Sequence, residues 1–287
     1  MTVISNRAMP AAPGRTETWI KLVADTLPRI VFIGYMLLFF LYLFLPLGVM
    51  AAATFNSSKF PTVTPWLGTT SEWFVALWRD QAMWKSLRLS LIIGIAVIAI
   101  SLPVGTAAAL FLTSLNDRAR SFFYALMVSP LLTPGVAIGI ATLILWRQAG
   151  VGGGTLLIVL AQASFISAYV MLMVVARLQR FDRTLEEAAI GLGASRLKVF
   201  HRILLPYLRP SLLAAAFIAF LQSFENYNTT LFVRGTETPL TVYIATKVRT
   251  GLTPAVNALG LTLIVLTVVA AIAVELSRRS KSKRAAA

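Results

Sequence analysis

The chain has 287 residues, of which 57% are apolar and 13% are charged, and its formal net charge is +15. Soluble domains average about 45–50% apolar and about 25% charged residues, so this composition indicates a membrane protein. The chain has no cysteine and one histidine, His201, which argues against disulfides, thiol catalysis and a zinc centre. We therefore predict no metal site and, because no nucleophile–base pair is apparent, no enzymatic activity.

Six apolar stretches are long enough to cross a bilayer, since a spanning helix needs about 20 apolar residues. The first follows a basic segment and has no small-residue cleavage pattern, so we predict that it is retained. The sequence thus predicts an all-α polytopic membrane protein. Its predicted spans are 30–54, 86–112, 122–146, 155–176, 208–227 and 256–276, within a six-helix domain over 30–277 that is flanked by tails over 1–29 and 278–287.

Lysine and arginine accumulate on the cytoplasmic side of membrane proteins. Most of the 26 basic residues lie on one side of the predicted membrane, in segments 1–29, 113–121, 177–209 and 277–287. Both termini are therefore predicted to be cytoplasmic. Because the net charge follows topology, we predict no nucleic-acid partner.

The connections on the other side carry fewer charges. Residues 55–82 contain several prolines and tryptophans, which predicts a loop at the membrane interface, and 228–255 form a second connection. The glycines of 147–154 faintly resemble a phosphate-binding loop. No Lys-Ser or Lys-Thr pair follows them, so we predict a tight turn between two spans.

Several predicted spans contain proline, most densely in the segment 129–135, which holds Pro130 and Pro134. A proline removes an intrahelical hydrogen bond and tends to kink its helix. In a membrane, the freed carbonyl groups need protein or water partners. We interpret this segment either as a flexing part of a pathway or as a kink that serves packing between helices.

The polar and basic segment 182–206 lies between the fourth and fifth spans. Thr184 followed by Glu187 fits a capping box at the start of a short helix. Gly191 and Gly193 predict the end of that helix, because glycine tolerates the left-handed turn that follows a helix. The segment is either a rigid helix that a soluble partner contacts or a solvated loop in which Glu187 only caps.

A second short helix is predicted after the first. Ser195 can cap it, and its apolar residues recur at helical spacing from Leu197 onwards. Pro206 is expected to limit its continuation into the next span.

The same segment reproduces the EAA loop signature of binding-protein-dependent ABC importer permeases. The signature residues, in order and at the signature spacing, are Glu187, Ala188, Ala189, Gly193, Ile203, Leu205 and Pro206. The chain resembles this family over nearly its whole length. Segments 223–225, 238–243 and 251–258 resemble the second permease of the spermidine/putrescine branch.

The resemblance implies a type I importer fold in the bacterial inner membrane. It implies a second permease subunit, more often a different chain than a copy, and two copies of a cytoplasmic ATPase that bind ATP and Mg²⁺. An extracytoplasmic binding protein would deliver the cargo, and this chain would bind no cofactor. The EAA residues would form a coupling helix seated on the ATPase.

Glu225 near the outer end of the fifth span is the candidate pathway acid, with Phe224 and Tyr227 beside it. A carboxylate flanked by aromatic rings suits a cationic solute through ion pairing and cation–π attraction. Alternatively, Glu225 lies in interfacial water, or pairs with Arg234 or with another span. The family's polyamine members have an acidic residue after the corresponding Ser-Phe.

The expected cargo is therefore a polyamine or a related cationic or amino solute. The resemblance leaves other cargoes open, including opine-like compounds and aminophosphonates. A secondary transporter would usually place coupling acids in the middle of the membrane, and no such acid is apparent.

Overall fold

The computed structural model describes the backbone of residues 15–251 and 253–285 and the side chains of 27–251, 253–269, 272–273 and 276. Within these residues the chain is helical, and its β-structure is one isolated bridge between Asn56 and Thr69. The helices are α1 (Arg15–Phe55), α2 (Glu72–Arg79), α3 (Gln81–Ser114), α4 (Asp117–Leu132), α5 (Gly135–Gln148), α6 (Thr155–Leu178), α7 (Thr184–Gly191), α8 (Arg196–Val199) with a π turn (Phe200–Leu204), α9 (Leu205–Phe224), α10 (Asn228–Val233), α11 (Leu240–Thr250) and α12 (Pro254–Ala285).

Four helical segments in the described part of the chain are long and apolar enough to cross a membrane. They are Leu27–Phe55, Gln81–Ser114, Thr155–Leu178 and Arg196–Phe224, and they contain or largely overlap the first, second, fourth and fifth predicted spans. The apolar part described for α12, Pro254–Val269, is shorter. The all-α prediction is confirmed, with four candidate spans, or five if a bent helix pair forms one more.

That bent pair replaces the third predicted span. The predicted kink at 129–135 is confirmed, because α4 and α5 meet at an angle of 102° within the apolar stretch predicted as the span 122–146. Thr133 has extended backbone angles, as expected of a residue that precedes a proline. Pro130 and Pro134 each lack a backbone amide donor, so two helical hydrogen bonds are missing about one turn apart. In α3, by contrast, the helix continues through the single Pro103.

The two longer connections are more ordered than predicted. Residues 55–82 contain α2, and 228–255 contain α10 and α11. The side chain of Asn56 organises the first connection. Its Nδ2 donates to the carbonyl of Thr62 (2.9 Å), and its Oδ1 accepts from the amide of Leu67 (3.0 Å).

The chain divides into two compact units, of which one combines residues 1–76 with 253–287. In this unit α1 packs against α12, and a side chain at Gly260 would lie 3.1 Å from the sulfur of Met50. The side chains of 1–26 and 277–287 lie outside the described residues. The basic tail predicted over 278–287 and most of the tail predicted over 1–29 fall there.

The other unit covers residues 77–252, and its core is formed mainly by α3, α6 and α9. Fully buried side chains such as Val97, Ile166 and Leu208 fill the space between these three helices. A Cβ atom on Gly105 would lie 2.6 Å from the carbonyl oxygen of Ser167. Only glycine therefore allows α3 and α6 to approach this closely, as is common between membrane helices.

Asp80 attaches α11 to the beginning of α3. Its carboxylate accepts from the amide of Met83 (3.0 Å) and from the hydroxyl of Tyr243 (2.5 Å), and it lies 3.7 Å from Nζ of Lys247. Partial burial raises the pKa of Asp80, but the hydrogen bonds from Tyr243 and Met83 and the charge of Lys247 outweigh it. The pKa therefore lies below the ordinary value.

Candidate functional site

The helix α7 carries the predicted coupling residues, but the predicted capping box is wrong. Thr184 lies inside the first turn, and Glu187 makes no capping hydrogen bond. The N-cap position is held by Arg183, without a side-chain capping bond, and Oδ1 of the preceding Asp182 accepts from the amide (3.0 Å) and the hydroxyl (2.8 Å) of Thr184. These bonds favour the charged form and hold the pKa of Asp182 below its ordinary value. The carboxylate of Glu187 is left free of this role.

The predicted end of α7 is confirmed. The helix ends at Gly191, and Gly193 has a φ of +82°, where a side chain would strain the backbone. Ser195 then caps α8, as predicted, by accepting from the amide of Lys198 at 3.4 Å.

Pro206 does not end the second helix, so that prediction is wrong. A π turn over Phe200–Leu204 joins α8 to α9, and the amide of Leu205 donates to the carbonyl of Phe200. Pro206 lies in the first turn of α9, where a missing amide donor is tolerated. The fifth helical segment consequently begins at Arg196, before the predicted span of 208–227.

The structure brings four of the coupling candidates onto one exposed surface. Glu187, Ala188 and Gly193 are exposed, and Ala189 is half-buried beside them. The later candidates differ: Ile203 and Leu205 are half-buried, and Pro206 is exposed on α9. Large apolar side chains continue the surface, since Leu192 is 89% exposed and Leu197 is 69% exposed.

The base of this segment is closed by Arg177 and Tyr207. The guanidinium carbon of Arg177 lies 4.2 Å from the centre of the Tyr207 ring, and the Tyr207 hydroxyl donates to the carbonyl of Arg177 (3.2 Å). The ring of Phe181 packs 4.8 Å from that of Tyr207. These contacts join the end of α6 to the beginning of α9. Sequence reasoning assigned Arg177 only to topology, because no local signal pairs residues this far apart.

The break between α4 and α5 opens onto a cavity of about 280 Å³. The cavity lies among the ends of α4, α5 and α9, the loop before α10, and α6. Its walls are formed by Pro130, Leu131, Thr133, Gly135, Ile138, Phe165, Tyr169, Gln222, Glu225, Asn226, Tyr227, Asn228 and Thr229.

Two of the three predicted pathway residues, Glu225 and Tyr227, line this cavity. Phe224 does not, and its ring stacks instead on Phe220 at 5.5 Å. Sequence reasoning missed Phe165 and Tyr169, which contribute two aromatic rings from α6. Their one-turn spacing places them on one helix face, but an apolar helix offers many such pairs.

The carboxylate of Glu225 is exposed and has no hydrogen bond or ion pair with any residue that the structure describes. The predicted alternative of a pair with Arg234 is not found there, because Arg234 donates to the carbonyl of Glu237 (2.8 Å). Glu225 therefore presents an uncompensated negative charge among aromatic rings and amides.

A buried polar network lies beside this site. The Ser223 hydroxyl donates to Oε1 of Gln162 (2.5 Å), and Nε2 of Gln162 donates to the Thr230 hydroxyl (2.8 Å). The Thr230 hydroxyl in turn donates to Oδ1 of Asn226 (3.1 Å). Since Asn226 also lines the cavity, the network fixes one wall of the site to α6.

The described residues contain no group of three or more metal-ligating side chains. The arrangement instead offers one carboxylate, aromatic faces and neutral hydrogen-bonding groups. These groups can bind an organic cation reversibly.

A family model described as binding-protein-dependent transport system inner membrane component matches residues 101–283. The chain belongs to this family. It is 35% identical over 233 residues to the putrescine transport system permease protein PotI of Escherichia coli (strain K12), covering 78% of this chain and 82% of that protein. It is 29% identical over 253 residues to the spermidine/putrescine transport system permease protein PotC of the same strain, with coverages of 87% and 94%.

The fold of the permease is also shared with a solved transporter. A chain in the crystal structure of a bacterial alginate ABC transporter, in complex with an alginate pentasaccharide-bound periplasmic protein, superimposes with a TM-score of 0.69 at 16% identity. The match covers 91% of the permease and 97% of that chain. The permease is thus an inner-membrane transport subunit of a multi-subunit ABC importer and is not itself an enzyme.

Proposed function

We propose that this permease forms part of the translocation pathway of a type I importer for polyamines. The domain over 30–277 would cross the membrane six times, with the tails over 1–29 and 278–287 in the cytoplasm. A second, different permease would complete the pathway. Two copies of a cytoplasmic ATPase would bind ATP and Mg²⁺, and a periplasmic protein would deliver the cargo.

The coupling part of the proposal concerns residues 182–206. A soluble partner needs a rigid, exposed surface, and α7 offers a short helix with an exposed carboxylate at Glu187 that makes no hydrogen bond to a described residue. The exposed Leu192 and Leu197 supply apolar area beside it. This combination supports docking of the ATPase on Glu187, Ala188, Ala189 and Gly193, with Ile203, Leu205 and Pro206 shaping the base.

The contacts of Arg177 with Tyr207 support transmission of movement from that surface. They fasten the two helices that flank the coupling segment, so a force on α7 reaches both α6 and α9. Further along the pair, the Ser211 hydroxyl donates to the carbonyl of Met173 (3.0 Å). A rigid pair of this kind moves as one body.

The polyamine part is carried by the unpaired Glu225 carboxylate in the cavity. An ammonium group would gain an ion pair with Glu225 and cation–π contacts from Tyr169 and Tyr227. The cost of stripping water from an ammonium group is offset only where such groups converge. The names of the two relatives, which concern putrescine and spermidine, support the same class of cargo. Phe224 would not contact the solute and would support the site only indirectly, through its stack with Phe220.

The test is uptake of labelled putrescine, spermidine and an opine-like amino compound in cells with and without the permease. The other subunits are present in both strains, and ATP depletion serves as a control. We expect an ATP-dependent loss of uptake that is confined to polyamines. A loss confined to the opine-like compound, or to an aminophosphonate in a parallel assay, would contradict the cargo and leave the importer class intact.

A further inference from the structure

A second cavity, of about 410 Å³, lies where the end of α3, the beginning of α4 and the end of α6 meet. Two arginines, Arg120 and Arg183, line it and converge on the same carbonyl group. Nη2 of Arg183 lies 2.9 Å from the carbonyl oxygen of Thr113, and Nη2 of Arg120 lies 3.5 Å from it. Nε of Arg120 also donates to the carbonyl of Leu112 at 3.1 Å.

Neither guanidinium group forms an ion pair with a described carboxylate. Asp182 accepts from Thr184, and neither Asp117 nor Glu186 forms an ion pair with an arginine. A guanidinium group carries about five N–H donors, so most of the donors remain available. Two adjacent like charges that share one neutral acceptor would be stabilised by an anion.

The rest of the cavity suits a phosphate group attached to an apolar body. Ser121, Tyr124 and Gln179 offer further polar groups. Val175, Leu178 and Phe181 form an apolar wall. The helix ends around the cavity lie near the predicted span boundaries at 112, 122 and 176, so the cavity would lie at the depth of lipid headgroups.

We infer that Arg120 and Arg183 form a binding site for a phosphate-bearing anion. Guanidinium groups bind phosphate oxygens in a bidentate manner, and basic cavities between membrane helices bind anionic headgroups. The ligand would be the headgroup of an anionic phospholipid or a soluble phosphate. The inference is independent of the proposed cargo, and Arg183 lies immediately before α7, within the segment 182–206 that is proposed to contact the ATPase.

The experiment uses the permease purified together with its associated subunits in a non-ionic detergent. Its thermal unfolding midpoint is followed while phosphatidylglycerol, phosphatidylcholine or inorganic phosphate is titrated. The test variant is Arg120→Gln with Arg183→Gln. The matched control is Arg118→Gln with Arg180→Gln, which removes the same charge from the same two segments at exposed side chains that, unlike the exposed Arg120 and Arg183, do not line the cavity.

We expect phosphatidylglycerol, and not phosphatidylcholine, to raise the midpoint of the wild type and of the control. The test variant should need a concentration at least about tenfold higher for half of the effect, since each charge-assisted hydrogen bond contributes about one order of magnitude in affinity. A response to inorganic phosphate alone, lost in the test variant, would support the site with a soluble ligand.

An equal response of the test variant and the control to every anion would overturn the inference. So would the lack of any anion effect on the wild type. If the glutamine pair does not assemble, Arg120→Lys with Arg183→Lys replaces it. Lysine keeps the charge but loses the forked geometry, so we then expect weaker binding of the same ligand. Unchanged binding in that pair would overturn the bidentate site.

Discussion

At one end of the α6–α9 pair, Arg177 and Tyr207 are joined by a cation–π contact and a hydrogen bond. The segment 182–206 between these helices presents exposed apolar side chains beside Glu187. At the other end, the neutral side chains of a buried network form hydrogen bonds with one another, while the carboxylate of Glu225 has no described partner. The comparison separates two kinds of surface. The first suits a protein that stays bound, and the second suits a solute that must leave.

The difference has a physical reason. A permanent contact benefits from apolar area, whose burial is favourable, and from a rigid base, which lowers the conformational entropy lost on binding. A pathway residue must bind its solute only weakly enough to release it. An unpaired carboxylate in an open cavity of about 280 Å³ achieves this, because water can replace the solute.

The largest effect is expected for Glu187→Lys at the first end. Reversal of this charge at a protein contact should lower uptake about tenfold or more, with normal amounts of permease in the membrane. Uptake and ATP hydrolysis are measured at matched expression, with Glu187→Gln as an intermediate case. Normal uptake in the lysine variant would contradict the docking of an ATPase on α7.

Glu225→Gln tests the second end. Loss of the ion pair should raise the KM for polyamine uptake about tenfold, because a hydrogen bond to a charged group contributes about 1.5–3 kcal/mol. Glu237→Gln is the matched control, since Glu237 does not line the cavity. Unchanged uptake kinetics in Glu225→Gln would remove Glu225 from the pathway.

Ser223→Ala tests the neutral network beside Glu225. Oε1 of Gln162 would lose its donor in a buried site, which should cost about 1–3 kcal/mol of stability. The thermal midpoint of the purified assembly measures this loss. Ser164→Ala should change little, because the Ser164 hydroxyl only donates to the carbonyl of Ala161 in its own helix. Equal midpoints for the two variants would show that the network is not stabilising.

Tyr207→Phe sharpens the contrast at the first end. The substitution keeps the aromatic ring next to Arg177 and removes one hydrogen bond, so we expect the free energy of unfolding to fall by about 1 kcal/mol. The ratio of solute transported to ATP hydrolysed should fall by more than it does in Tyr35→Phe, whose exposed ring lies on α1. A parallel fall in transport and hydrolysis would instead indicate a purely structural role.

The smallest effect concerns Asp80, which lies at the beginning of α3 and belongs to neither of the two sites. Its pKa is lower in the folded chain, so the charged form stabilises the fold above the unfolded pKa of about 3.9, and this contribution is lost as the pH falls through the lower folded pKa. The midpoint difference between wild type and Asp80→Asn should therefore narrow from about pH 6 to about pH 3. A constant difference would indicate that the charge of Asp80 does not matter.

The sequence was sufficient for features that depend on local chemistry. Apolar length identified four helices that are long and apolar enough to cross a membrane, and Gly191, Gly193 and Ser195 identified helix ends in the segment 182–206. Local rules failed where two candidates compete. Thr184 lies inside α7 and donates to Asp182 instead of capping the helix, and the i→i+5 bond before Pro206 lets the second helix continue.

Contacts between distant residues could not be predicted in this way. The pairing of Arg177 with Tyr207 depends on how α6 and α9 pack, and the cavity depends on the 102° bend between α4 and α5. Glu225 was identified by its charge in an apolar setting. Tyr169 was missed because an aromatic residue in an apolar helix carries no such contrast.

The π turn over Phe200–Leu204 sets the rotation of α9 about its axis relative to the helices that precede it. Such a turn holds about one residue more than an α-helical turn, and one residue corresponds to a rotation of about 100°. Deleting a single residue there would allow an ordinary helix but would turn α9 about its axis. Glu225 would then face away from its cavity, while Glu187 kept its place. The orientation of one site relative to the other therefore depends on one inserted residue.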